Sequence, residues 1–117
     1  MPTRTPIETF EAFDVVVVPF PFTEVDRTKR RPALILSNTA FNRAHAVVVL
    51  AMITSATHST WPSDIPISDV SGAGLRAASV VRMKVFTLDR ALVLGKIGSL
   101  GQPDRAVAAK TVRAHLF

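Results

Sequence analysis

Between Asp14 and Asn38 the chain reads DVVVVPFPFTEVDRTKRRPALILSN, two dense apolar runs joined by a short polar linker. Residues 15–18 are an unbroken β-branched run, stiff at χ1 and suited to a strand covered on both faces. Pro19 and Pro21 interleave with Phe20 and Phe22 and take the chain out of regular pairing there. Residues 23–30 form a polar connection, and Pro32 opens a second strand over 33–37, where a missing N–H does least harm. Four basic residues crowd the end of the linker: Arg27, Lys29, Arg30 and Arg31. Arg31, just before Pro32, sets a fixed cation at the mouth of a sheet beside a basic loop. Such an arrangement suits a polyanion, and nucleic acid is the commonest one.

The rest of the chain continues in short strands. Residues 38–44 read as a turn or a short helical segment, and 45–54 as a third, strongly apolar strand. Residues 55–63 are polar and irregular and hold His58 and the only tryptophan, Trp61. A short edge strand at 65–67 is limited by Pro62 and Pro66, and Gly72 with Gly74 marks a turn. Further strands are expected at 78–86 and 91–97, with 87–90 as the turn between them. Pro103 suits the first position of a terminal helix, with Asp104 favourable to its dipole. Ala108, Val112 and Leu116 recur every four residues and would pack on the sheet, leaving Arg105, Lys110 and Arg113 to water. Closely spaced strands followed by one helix predict a small, strongly bent sheet or partial barrel. The organisation expected is an N-terminal arm over 1–12 and a single domain over 13–117.

Composition narrows the function classes. The 117 residues contain no cysteine, which excludes a disulfide framework and a thiolate zinc site. The N-terminal stretch has no apolar signal-peptide core, and the apolar runs 15–22 and 46–53 are far too short to span a bilayer. A soluble, cytoplasmic protein without membrane partners is the expectation. The formal charge of +5 favours phosphate backbones through counterion release. Walker, GxGxxG and HExxH signatures are missing. His45, His58 and His115 lack metal-ligand spacing, and no carboxylate cluster suits magnesium. Metal-independent chemistry without a cofactor, or binding alone, is therefore favoured.

Several residues are candidates for that chemistry. Arg31 can hold a phosphate bidentately and stays charged at any relevant pH; the plainer reading is a solvated charge beside a strand. Thr54 and Ser55 end a buried strand with two hydroxyls able to donate to a phosphoryl oxygen, or to cap the strand end locally. Arg82 interrupts an apolar run, with Lys84 two residues later on the same face. Two cations there require an anionic partner or an open groove. Trp61 is a possible stacking platform for a base or a loop anchor, and His58 is a loop histidine near the hydroxyls.

Taken in order, DVVVVPFPFT (14–23), RRPALILSN (30–38), FNR followed by VVVLAMITS (41–55), SVVRMKVFTLD (79–89) and KIGSL (96–100) resemble the PemK/MazF family of toxin endoribonucleases from bacterial type II toxin–antitoxin systems, in its PemK-like branch. The resemblance implies a mainly β fold with a C-terminal helix, the small SH3-like barrel of these toxins, and a homodimer. It implies metal-independent cleavage of single-stranded RNA, often mRNA, at short preferred sequences. The ribose 2′-hydroxyl attacks the adjacent phosphate, leaving a 2′,3′-cyclic phosphate and a 5′-hydroxyl. Arg31 matches the arginine of the family's RP motif, which stabilises the phosphorane or protonates the leaving oxygen. Thr54 matches the hydroxyl residue ending the third strand, and Arg82 the arginine of the VVR motif. Arg27, Lys29, Arg30, Ser55, His58, Trp61 and Lys84 would contact RNA around them. A cognate antitoxin with an acidic segment is the expected partner, since such a segment can block a basic groove.

Three positions depart from the family pattern. Several PemK-type members carry an aspartate where this chain has Lys84. The upstream loop offers Glu24 and Asp26 in place of a histidine found in some relatives, and Phe13 stands where a glycine commonly precedes the DVV run. Glu24, Asp26 and His58 are the candidates for the general base. A gyrase-poisoning toxin of the same barrel is the rival from another class. Against it, such toxins act largely through a C-terminal helix with a Trp-containing tail, whereas this chain ends Ala114-His115-Leu116-Phe117. A degenerate member that only binds RNA or antitoxin is the third reading, kept open by Lys84.

Overall fold

Val15, Val16 and Val18 are fully buried on opposite sides of the first strand, β1 (Asp14–Pro19), as a β-branched run covered on both faces requires. The structure is a computed structural model and describes residues 9–19, 29–57 and 60–117. After β1 come β2 (Arg30–Ile35), α1 (Thr39–Ala44), β3 (Val47–Ser55), β4 (Ile65–Pro66) and β5 (Ser79–Asp89). A 3₁₀ turn (Arg90–Leu92), β6 (Gly95–Ser99) and α2 (Gln102–Leu116) complete the described chain. The strands form one antiparallel, half-barrel sheet in the order β4-β5-β3-β2-β1-β6.

Period-two alternation splits the core into two layers. Val15, Leu34, Ala51, Ile53 and Val81 face one way, where Ile65, Ile67, Ala73, Leu100 and Ala108 of α2 cover them. Val16, Val18, Ala33, Ile35, Val48 and Leu50 face the other way, against Phe10, Phe86, Leu88 and Val93. Asn42 of α1 is fully buried and holds the N-terminal segment to the sheet through Nδ2 bonds to the carbonyls of Phe10 (2.8 Å) and Ser37 (3.0 Å). Gly74 has φ +77°, and a Cβ there would lie 2.0 Å from the Ile97 carbonyl oxygen, so this turn against β6 requires glycine.

Several element boundaries differ from the sequence expectation. β2 starts at Arg30 rather than 33 and ends at Ile35. Its first three residues pair only with β1, and β3 joins from Ala33 onward, so Pro32 sits in a one-sided extension where it breaks no central ladder. β5 runs through the expected turn to Asp89 because β3 needs a partner along its whole length: Thr87 and Leu88 pair with Val49 and Val48. The turn follows as the 3₁₀ segment, N-capped by Asp89, and β6 is correspondingly displaced to 95–99.

The terminal helix also packs differently. Ala108 is buried and Val112 half-buried, but Leu116 is exposed, so the contact with the sheet ends before the helix does. Arg105 is not given to water: its Nε donates to the Leu100 carbonyl at 2.8 Å and its guanidinium lies 5.9 Å from the Phe13 ring centroid. Asp104 is buried and accepts from the Ser68 N–H (2.9 Å), the Ser68 hydroxyl (2.8 Å) and the Asp69 N–H (3.2 Å), tying α2 to the loop after β4. Phe13 has φ +75°, the region that favours glycine. A glycine, which the resemblance expects at this position, would adopt this conformation without strain. Here the conformation is held by the Phe13 N–H bond to the Ile35 carbonyl (2.7 Å) and the Leu100 N–H bond to the Phe13 carbonyl (3.0 Å).

Candidate nucleic-acid site

Strand register assembles the site. Arg31 lies opposite Val18 on β1, two residues before Ala33, which pairs with Met52 of β3. Thr54 is two residues beyond Met52 on the same face, so Arg31 and Thr54 come side by side across adjacent strands. Met52 pairs on its other side with Arg82 of β5. The next β3 residue back, Ala51, pairs with Val85, so Met83 and Lys84 form a bulge that interrupts the ladder. Bulges of this kind re-aim side chains. Arg31, Met52, Ile53, Thr54, Arg82 and Lys84 together line a pocket of about 140 Å³. The three cations and one hydroxyl that line it among the described residues suit a single phosphate group.

Arg82 is held by a carboxylate and an aromatic ring. Its Nε donates to Asp64 Oδ1 at 3.0 Å and its Nη2 to Asp64 Oδ2 at 2.9 Å. Its guanidinium carbon lies 5.1 Å from the Trp61 ring centroid, within cation–π range. Asp64 Oδ2 also accepts from the Trp61 N–H at 2.9 Å. The hydrogen bonds from Arg82 hold the Asp64 carboxyl below its usual range, and those from Asp64 raise the Arg82 guanidinium further. Asp64 thus stays ionised across neutral and mildly acidic pH.

Asp64 is the residue that the sequence reading did not name. Two cations on one face of β5 signalled an anionic partner, but nothing in the sequence selects a carboxylate eighteen positions upstream in a loop. Trp61 stands close to this cluster and remains 41 % exposed. Lys29 and Arg30 are exposed at the start of β2. Ser55 points to the other side of β3 from Thr54. Its hydroxyl bonds Thr57 Oγ1 at 2.8 Å and accepts from the Thr57 N–H at 3.2 Å, the local capping that was the alternative for this residue. Glu24, Asp26, Arg27 and His58 lie outside the described residues. Among the described residues no group of histidines and carboxylates could hold a metal ion, and no helix is long and apolar enough to cross a membrane.

This fold agrees with the comparisons. The chain belongs to the family of PemK-like, MazF-like toxins of type II toxin–antitoxin systems, whose sequence profile matches residues 11–116. Among solved structures it is similar to an endoribonuclease in complex with its cognate antitoxin from a mycobacterial species, at 17 % identity and a TM-score of 0.73, covering 94 % of this chain and 95 % of that one. It is similar to the MazE–MazF complex of Deinococcus radiodurans at 19 % identity and a TM-score of 0.72, covering 93 % and 96 %. The Mycobacterium tuberculosis toxin MazF-mt6 aligns at 21 % identity with a TM-score of 0.69, covering 86 % and 93 %. At these identities the likeness establishes the fold. A search of curated proteins gives no match.

Proposed function

We propose that this toxin is a metal-independent endoribonuclease that cuts single-stranded RNA, mRNA above all. The observation that carries the reading is the convergence of Arg31, Thr54, Arg82 and Lys84 on one pocket of phosphate size. A scissile phosphate there meets two guanidinium groups, an ammonium and a hydroxyl. Its ribose 2′-hydroxyl attacks phosphorus as the P–O5′ bond breaks. The products are a 2′,3′-cyclic phosphate and a 5′-hydroxyl, so no water enters the first step. Arg31 and Thr54 stabilise the charge that grows on the equatorial oxygens, and Arg31 is the group proposed to protonate the leaving oxygen. Deprotonating the 2′-hydroxyl is typically worth ~10²–10⁴ in rate. Glu24, Asp26 and His58 are the groups proposed for it. Asp64 is unsuited, because its carboxylate oxygens accept three N–H bonds.

The partner we propose is an antitoxin whose acidic, partly disordered segment occupies the same pocket, since carboxylates compete with phosphates for guanidinium groups. The likeness in fold to an endoribonuclease in complex with its cognate antitoxin supports an antitoxin as the partner. A homodimer in the cytoplasm is the proposed working form. Induced expression is expected to arrest growth with fragmented mRNA and intact chromosomal DNA. Broken DNA with intact RNA would favour a gyrase-poisoning action instead. Release of the pocket by added salt or by competing RNA is expected for the antitoxin complex, and insensitivity to both would contradict the shared site.

A further inference from the structure

Asp64, Trp61 and Arg82 form one interlocked unit beside the pocket. The Trp61 N–H bonds to the Asp64 carboxylate and the Asp64 N–H bonds back to the Trp61 carbonyl at 3.0 Å, closing the turn over residues 61–64. This turn presents a carboxylate edge and an aromatic ring together. The guanidinium of Arg82 meets both, its Nε/Nη2 edge on Asp64 and the Trp61 ring 5.1 Å from its central carbon. The side chains of Arg82 and Asp64 are only 12 % and 8 % exposed, so the pair is shielded from competing water and ions. Lys84 lines the same pocket.

We infer that Asp64 is the positioning residue of this site, fixing the Arg82 guanidinium against Trp61 and cancelling one of the three positive charges around the phosphate. The inference rests on the ribonuclease reading and adds to it a residue and a charge balance. Among the described residues, Arg31, Arg82 and Lys84 contribute +3 and Asp64 −1, a net +2. Asp64 is not in contact with the pocket's phosphate position; it acts through Arg82.

Neutralising this carboxylate has two consequences of opposite sign. Asp64→Asn removes one of the two acceptors that hold the guanidinium edge, and misplacement of about 1 Å at a reacting centre costs on the order of 10²-fold in turnover. The same change raises the local charge, so RNA binding tightens and depends more steeply on salt, by about 0.7 in log–log slope for one added phosphate contact. A merely structural residue would weaken binding, turnover and melting temperature together.

The experiment measures kcat on single-stranded RNA, and binding to fully 2′-O-methylated RNA (which lacks the attacking hydroxyl) across a salt series, for wild type, Asp64→Asn, Asp64→Glu and Arg82→Lys. Asp64→Asn is expected to lose about 10²-fold in kcat with equal or tighter binding and a steeper salt slope. Asp64→Glu is expected to keep the wild-type salt slope while losing part of kcat. Arg82→Lys keeps the charge but not the fork, and is expected to lose kcat as Asp64→Asn does. Combining those two is expected to cost no more than either alone. Wild-type kcat and slope in Asp64→Asn, or additive losses in the double variant, would overturn the inference. Should the wild type leave RNA intact, the ribonuclease reading fails separately. The salt slopes on methylated RNA then still decide the charge balance, an unchanged slope in Asp64→Asn overturning it.

Discussion

The Arg31→Ala protein is expected to lose RNA cleavage by 10²–10³-fold on the order of magnitude typical for one oxyanion-stabilising group, and to relieve growth arrest on expression, while folding as the wild type does. The expectation comes from position. Arg31 lies in the part of β2 that pairs with β1 alone, before the β2–β3 ladder begins at Ala33. Its truncation therefore leaves the central ladder untouched. On the pocket side it stands next to Thr54, whose side chain also lines the pocket. Arg31→Lys keeps a charge but loses the planar fork and is expected to fall between the two. Full cleavage by a folded Arg31→Ala protein would remove Arg31 from the reaction and leave Arg82 and Lys84 as the cations that line the pocket among the described residues.

The second large effect is on stability. Leu34 is fully buried one residue before the end of β2, with Val15 and Ala51 as its partners on the two neighbouring strands. Leu34→Ala is expected to destabilise the protein by about 2–5 kcal/mol, from lost burial together with the cavity left behind. Of a total typically ~5–15 kcal/mol, that is enough to lower the melting temperature by roughly 10 °C. Because residue 34 faces the layer beneath α2 while Arg31 faces the other way, cleavage measured well below the melting point should survive. A loss under about 1 kcal/mol in chemical denaturation would contradict the two-layer core. Loss of activity without loss of stability would contradict the assignment of the two faces.

These two residues also illustrate what the sequence could reveal. The valine run, the proline-marked start of β2 and the apolar third strand announced three adjacent strands, the ordered family segments carried the bent sheet, and Pro103 with the four-residue repeat announced the terminal helix. Arg31, Thr54 and Arg82 were singled out for separate reasons, and strand register brings them together on one face. Boundaries failed where local chemistry was overruled by pairing: residues 87–89 look like a turn but are drawn into β5 by the exposed edge of β3. The four-residue repeat of α2 suggested packing as far as Leu116, yet the sheet ends first. Asp64 was hidden for a different reason. Its partner is set by how a loop folds back over β5, and alternation within strands contains no information about loops.

The central claim is metal-independent cleavage at the Arg31 pocket. It is tested most directly by incubating purified protein with a long single-stranded RNA in EDTA and determining the chemistry of the ends. Discrete cuts bearing 2′,3′-cyclic phosphate and 5′-hydroxyl termini are the predicted result. RNA left intact by the folded protein, or cut to 3′-hydroxyl and 5′-phosphate ends, would contradict it.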